Sequence, residues 1–282
     1  MKLCRIGEIG NEKSAIIDED NNYRDLSSII PDFNPDTLNF NTIEKIKNAN
    51  ISSLPKLDTN LRIGACVSKP SKFIGIGLNF KDHAEEQNLP IPKEPIIFSK
   101  FTSCITGPND PIVVPKGSNH TDWEVELGFV IGKKAINVSV DSALDHVLGF
   151  FLVNDISERN FQKNKGLTWD KGKGFDTFGP IGPYIVTKDE LPDFQKLNMF
   201  LDVDGKRMQT GNTEKMIFDI KTLVSYMSSC MSLHPGDICC TGTPPGVGES
   251  MSPPHFLKGG EEVILGIDKL GTQKHKVFPY KG

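Results

Sequence analysis

No stretch of the chain is apolar for long. The longest such run, "VLGFFLV" at 147–153, falls well short of the ~20 residues that span a bilayer, so no membrane partner is expected. Basic charge is not in excess either: Lys plus Arg count 32 against 36 for Asp plus Glu, a formal net charge of −4. That balance argues against a nucleic-acid or anionic-surface binder. The first ten residues, "MKLCRIGEIG", lack the apolar centre of a secretory signal and alternate like a strand. Six cysteines form no C-x-x-C pair, which in 282 residues reads as reduced, buried thiols of a cytoplasmic protein rather than a disulfide framework. Two tryptophans, Trp123 and Trp169, leave little for the stacking platforms of a sugar-binding sandwich. The "GIG" at 75–77 has neither the third glycine nor the downstream acid of a dinucleotide fingerprint. Internal repeats and low-complexity tracts are lacking as well.

Hydrophobic content of 37% at this length is ample for a substantial core. Two textures share it. Residues 1–60 read as a small N-terminal α+β domain: strands in "KLCRIGEIG" and "SAIIDED", then a helix opening at Pro35 and marked by Leu38, Ile43 and Ile46, then a linker at 52–60. Residues 61–282 carry many short apolar strands separated by Gly, Pro and Asp turns, with one clear helix in "MIFDIKTLVSYMSSCMSLHPGD". Many strands without a βαβ rhythm predict a mainly β fold with some α, a mixed sandwich or roll.

Within that frame, "HTDWEVELGFVIG" at 120–132 reads as a strand bearing Asp122, Glu124 and Glu126 on one face. Alternation of this kind fits a wet strand face, yet the strand runs on into a stretch that looks buried on both sides, where acids need partners. Asp155 follows seven apolar residues and is either a helix cap or a ligand. Glu124, Glu126 and Asp155 together make an all-oxygen set suited to Mg²⁺, Mn²⁺ or Ca²⁺. On a helical turn in "SERNFQ", Arg159 and Gln162 share a face, with a surface ion pair to Glu158 as the bland alternative for Arg159. His83 and Glu86, three apart, fit a base and its orienting carboxylate. Pro90, Pro92 and Pro95 beyond them suit a lid. Lys173, between two glycines, could stabilise an enolate or merely solvate a turn. In "CTGTPPGVG" at 240–248, backbone N–H groups and the hydroxyls of Thr241 and Thr243 could bind a carboxylate, or the loop could be only a tight connection.

Taken in order, "IGIGLNFKDHAEE", "DWEVELGFVIG", "FFLVNDISERNFQ", "KGKGFDTFGPIGP", "HPGDICCTGTPPGVG" and "LKGGEEVILGIDKLGTQKHKV" resemble the fumarylacetoacetate hydrolase superfamily over about residues 60–278. The texture is closest to its 2,4-diketo-3-deoxy-L-fuconate hydrolase and ureidoglycolate lyase-like branch. The resemblance implies a mixed β-sandwich roll, a homodimer, a small oxo-acid substrate, Mg²⁺ or Mn²⁺ and no organic cofactor. By the same resemblance Glu124, Glu126 and Asp155 ligate the metal, and His83 and Glu86 activate water beneath a lid. Lys173 holds substrate oxygens with Thr177 near it, while Arg159, Gln162 and Thr243 contact substrate. Phe80, Asn160 and Gly174 depart from the family's usual residues and leave the pocket's preference open. The implied activity is hydrolytic C–C cleavage of an acylpyruvate-type 2,4-dioxo acid, a diketo-deoxy sugar acid among them. Oxaloacetate decarboxylation and hydroxymuconate-type isomerisation compete on the same metal site. A metal- and ligand-binding module without turnover is the reading from a different class.

Overall fold

A computed structural model describes residues 1–166 and 168–281. Two sheets dominate it. The larger has nine strands in the order Tyr23–Asp25, Lys13–Ile17, Lys2–Ile6, Ile185–Thr187, Val147–Asn154, Val125–Ile131, Ile238–Cys240, Phe73–Gly77 and Ile96–Lys100. All its pairings are antiparallel except Ile238–Cys240 with Phe73–Gly77, so the sheet is mixed. The second sheet has five strands in the order Lys206–Asn212, Asn198–Val203, Glu262–Ile267, Gly271–Phe278 and Ile112–Val113.

Sequence pattern follows position. Val147–Asn154 and Val125–Ile131 lie in the middle of the large sheet and are buried along their whole length, which is why they read as near-continuous apolar runs. Gly271–Phe278 buries only alternate residues, as a strand with one wet face does. Phe129, Phe150, Phe151 and Trp123 are fully enclosed in the core.

Within the first sixty residues, expected as a small N-terminal domain, three strands between residues 2 and 25 extend the large sheet. Lys2 pairs with Val186 and Leu3 with Ile185, and Lys13–Ile17 and Tyr23–Asp25 follow outward. Leu3, Ile16, Phe33 and Ile46 belong to the same apolar cluster as Phe73 and Trp123. A short meander cannot bury enough surface by itself, so it borrows the neighbouring sheet. Helix α1 (Phe40–Lys47) starts five residues after the expected Pro35, because Asn39 caps it by accepting from Thr42 N. Its Ile43 and Ile46 face inward as their spacing implies.

Helix α2 (Lys81–Glu86) follows Phe73–Gly77, and two short helices, α3 (Arg159–Asn164) and α4 (Asp170–Lys173), follow Val147–Asn154. Helix α5 (Ile220–Cys230) opens at Asp219, whose carboxylate accepts from Thr222 N, four residues inside the helical stretch marked in the sequence. No helix among the described residues is long and apolar enough to cross a membrane. All six cysteines are free; five are buried, and Cys230 at the end of α5 is exposed, against the expectation of burial.

Candidate active site

The acidic stretch does not form one strand. Thr121–Asp122 pairs with Ser157–Glu158, the chain leaves the ladder at Trp123 and Glu124, and a second strand begins at Val125. All three carboxylates are enclosed: Asp122 is 0% exposed, Glu124 6% and Glu126 2%. A wet face is therefore ruled out for this segment. Asp155 stands one residue past the neighbouring strand, and its N–H donates to Glu124 O at 2.9 Å, bringing the two acids together. It is no helix cap, since α3 is capped by Glu158, which accepts from Phe161 N.

Cations meet these acids in a buried network. Lys173 Nζ donates to Glu124 Oε2 at 2.7 Å and to Asp155 Oδ2 at 2.6 Å. Lys100 Nζ donates to Asp155 Oδ1 and to the Lys173 carbonyl, each at 2.5 Å. Burial alone would lift the Glu124 pKa, but Lys173 and Arg159 outweigh it and hold that carboxyl below the usual range. Glu126 is the opposite case. Burial, with the charges of Asp155 and Glu124 added, pushes its carboxyl well above the ordinary value. Its Oε2 accepts from Gly242 N at 2.7 Å.

Asp122 plays a different part from its two neighbours. Its Oδ1 accepts from Trp123 N and Gly248 N, and its Oδ2 accepts from Arg159 Nε at 2.8 Å and Glu249 N at 3.0 Å. It ties the 246–249 loop to Arg159. On α3, Arg159 Nη1 donates to Gln162 Oε1 at 3.0 Å, so this arginine is paired inward and not with Glu158. Its Nη2 is 2.8 Å from Glu124 Oε1 but without hydrogen-bond geometry, which leaves one buried donor free for a ligand.

Helix α2 brings His83 Nδ1 within 2.9 Å of Glu86 Oε2, the i, i+3 pairing its spacing predicts. Nε2 lies 3.1 Å from the Gln87 amide nitrogen. A carboxylate at Nδ1 and an amide donor at Nε2 select the tautomer with the proton on Nδ1 and the lone pair on Nε2. Glu86 is held below the usual carboxylate range: burial would raise it, but the bonds from His83 and from Gly246 N outweigh that.

The 240–248 loop corrects an expectation. Its N–H groups do bind carboxylates, but the protein's own: Gly242 N serves Glu126, Gly246 N serves Glu86 and Gly248 N serves Asp122. The hydroxyls of Thr241 and Thr243 donate to the carbonyls of Leu127 and Val125, so neither is free to donate to a ligand. Thr243 still lines the cavity. Thr177 does not; its hydroxyl accepts from Val113 N.

Glycines make the close approaches possible. A Cβ on Gly172 would fall 2.5 Å from Gln162 N and 2.6 Å from Glu158 O, so α4 can lie against α3 and deliver Lys173 only with glycine there. A Cβ on Gly174 would fall 2.3 Å from Phe101 Cδ2, leaving no room for a serine unless that ring moves.

These parts surround a cavity of about 400 Å³, lined among others by His83, Glu124, Glu126, Asp155, Arg159, Gln162, Lys173 and Thr243. Carboxylate oxygens of Glu126 and Asp155 can come within 4.8 Å of each other and of Cys240 Sγ. Burial pushes the Cys240 thiol well above its ordinary value, and a soft sulfur suits a hard divalent ion less than the carboxylates do. Glu126 and Asp155 converge directly and Glu124 joins Asp155 through Lys173, an all-oxygen donor set whose chemistry fits a hard divalent ion. Sequence reading missed Lys100. The signal available was a lysine closing the apolar strand "PIIFSK", a position where an unpaired charge is costly.

Comparison with known proteins agrees with this construction. The family model described as fumarylacetoacetate (FAA) hydrolase C-terminal matches residues 72–278. A protein of Burkholderia ambifaria (strain MC40-6), whose name says hydrolase and gives no substrate, is 54% identical over 274 residues, 97% of each chain. Maleylpyruvate hydrolase from Sphingobium sp. SYK-6, solved with manganese(II) ion and pyruvate, superposes with a TM-score of 0.81 at 26% identity and full coverage of both chains. The 5-carboxymethyl-2-hydroxymuconate delta-isomerase from Mycobacterium smegmatis gives 0.79 at 30% identity, also over all of both chains. The fold and the matched segment lead to one conclusion: this chain belongs to the fumarylacetoacetate hydrolase family.

Proposed function

We propose that the protein is a divalent-metal-dependent hydrolase that cleaves a carbon–carbon bond of an acylpyruvate-type 2,4-dioxo acid and releases pyruvate. The observation that carries this reading is the His83–Glu86 pair, with its lone pair on Nε2, set in the same cavity as the three carboxylates and Lys173. Glu124, Glu126 and Asp155 would hold Mg²⁺ or Mn²⁺, which supplies Lewis-acid stabilisation to the oxygens of an oxo acid.

The chain's own residues account for the rest. A water in the place of the Gln87 amide gives a proton to His83 Nε2, and its oxygen attacks the distal C4 carbonyl. The C3–C4 bond breaks and its electron pair passes to the pyruvate fragment as an enolate. An ammonium has three donors, and Lys173 uses two on Glu124 and Asp155; the third is left for the C2 oxygen where that charge develops. Arg159 offers Nη2 to another substrate oxygen. The imidazolium then returns its proton to C3, giving pyruvate and a carboxylic acid. Glu86 keeps the ring oriented and stabilises its positive charge.

Pyruvate release from 2,4-dioxo acids with Mg²⁺ or Mn²⁺ tests this. His83→Ala should cut kcat by roughly 10²–10⁴-fold, the usual worth of a positioned base. Unchanged turnover in that variant would remove the dyad from the mechanism. Consumption of oxaloacetate or a hydroxymuconate-type diacid, with no cleavage of any acylpyruvate, would favour the decarboxylase or isomerase reading.

A further inference from the structure

We infer that the acyl group of the substrate, the part beyond C4, is uncharged and apolar, and that Phe98, Trp169 and the 89–92 segment select it. The inference rests on the cavity being an acylpyruvate site, and it specifies which acylpyruvates fit.

Charge in the cavity supports this. Of the described residues lining it, four can be cationic, and each already faces a carboxylate of the protein. Lys173 lies between Glu124 and Asp155, Arg159 lies against Asp122 and Glu124, and His83 is on Glu86. Lys163 at the rim is paired with Glu249 at 2.6 Å. Glu249 also stands 3.7 Å from Arg159, so a distal carboxylate approaching either cation would meet this acid as well. Arg159 has a donor to spare, and Asp122 and Glu249, neither a metal ligand here, already offset its charge. A carboxylate buried here without its own counter-charge would be strongly disfavoured.

Apart from the amides of Gln87 and Gln162 and the hydroxyl of Thr243, the remaining wall is apolar. Leu89, Ile91, Ile96, Phe98 and Trp169 line it with the prolines at 90 and 92. Phe98 and Trp169 form an aromatic pair with ring centroids 5.6 Å apart. Gly77 is what admits the indole, since a Cβ there would fall 2.2 Å from Trp169 Cζ3. The pair adjoins the chemistry, because Lys173 Nζ lies 5.2 Å from the Phe98 ring centroid. Leu89 and Ile91 are 46% and 53% exposed, and an apolar group seated between them and the aromatic pair would cover surface now in water. A polyol chain, as in a diketo-deoxy sugar acid, would lose its water against these apolar side chains and regain little hydrogen bonding from them.

Three acids separate the cases: acetylpyruvate, benzoylpyruvate and maleylpyruvate, whose groups beyond C4 are methyl, phenyl and an anionic cis-carboxyvinyl. With Mn²⁺ present, kcat/KM should be at least about tenfold higher for benzoylpyruvate than for acetylpyruvate, since one methylene in an apolar pocket is already worth about that. Maleylpyruvate should be poorest, by roughly a hundredfold against benzoylpyruvate. Trp169→Ala should reduce the benzoyl preference mainly through KM. Ile91→Lys, at an exposed position, should shift preference toward maleylpyruvate. Calorimetric binding of the same acids to the Mn²⁺-loaded protein is read independently of turnover. Tighter binding of benzoylpyruvate with no cleavage of any acid would sink the proposed hydrolysis and leave the acyl-group assignment standing. Maleylpyruvate binding or turning over as well as benzoylpyruvate in the wild-type protein would overturn the assignment, as would an unchanged preference in both variants.

Discussion

Replacing Asp122 by Asn separates the acid that supports the site from those placed to hold a metal. In the native protein both of its oxygens are used twice, by Trp123 N and Gly248 N on one and by Arg159 Nε and Glu249 N on the other. Asparagine keeps one oxygen and turns an NH₂ group toward two donors. Either Gly248 and Trp123 or Arg159 and Glu249 lose their acceptor, whichever way the amide is set. Two buried donors left unsatisfied cost about 1–3 kcal/mol each. Removing one charge of a buried pair costs about 3–5 kcal/mol by a separate route. Both point to about 4 kcal/mol, a fall in melting temperature on the order of 10 °C for a protein of this size. The assay is thermal unfolding of the metal-free protein, with Mn²⁺ titration beside it. Because Asp122 reaches the carboxylate set through Arg159, Mn²⁺ affinity should weaken by about 10–100-fold without being lost. A metal-free melting temperature within about 2 °C of wild type, together with loss of Mn²⁺ binding, would refute this account and make Asp122 a ligand.

Other substitutions probe the same construction. Gly172→Ala inserts a methyl between α3 and α4; it should cost about 1–3 kcal/mol by overpacking and, by displacing Lys173 by about 1 Å, lower turnover on the order of a hundredfold. Saturating Mn²⁺, at about a hundred times Kd, should raise stability by roughly 2.7 kcal/mol, and Glu126→Gln should abolish that rise in a melting scan. The metal-free Gln variant should melt close to wild type, since burial already favours the protonated form of Glu126. Glu86 has its folded pKa below the unfolded value, so its contribution is present above about pH 4.5 and is lost as pH falls through the lower folded value. The gap in urea midpoint between wild type and Glu86→Gln should therefore close on acidification below about pH 4.5; a gap that widens would reverse the assigned direction.

Much of this was legible in the chain itself. Apolar runs and alternation marked the strands, because burial on one face or two writes directly into residue type. His83 with Glu86 and Arg159 with Gln162 were readable for the same reason: a helical turn places i and i+3 together whatever the rest of the fold does. Distance in sequence decided the rest. Glu124, Asp155, Lys173 and Lys100 meet only because two antiparallel strands, an edge strand and a short helix end at one place, and no local spacing encodes that meeting. Asp122 and Glu124 share a strand pattern and both face Arg159, but only Glu124 reaches Lys173, since the ladder breaks between them. The loop at 240–248 looked equipped to bind a ligand's carboxylate, and its N–H groups went to the protein's own acids. Residues 1–60 looked separable by composition and were joined to the large sheet by backbone pairing with Ile185–Thr187. Sequence by itself determined which side chains could do this chemistry, because residue type sets charge and donor count. Tertiary structure alone decided which of them are neutralised by one another and which are left for a substrate, because that depends on distances between segments far apart in the chain.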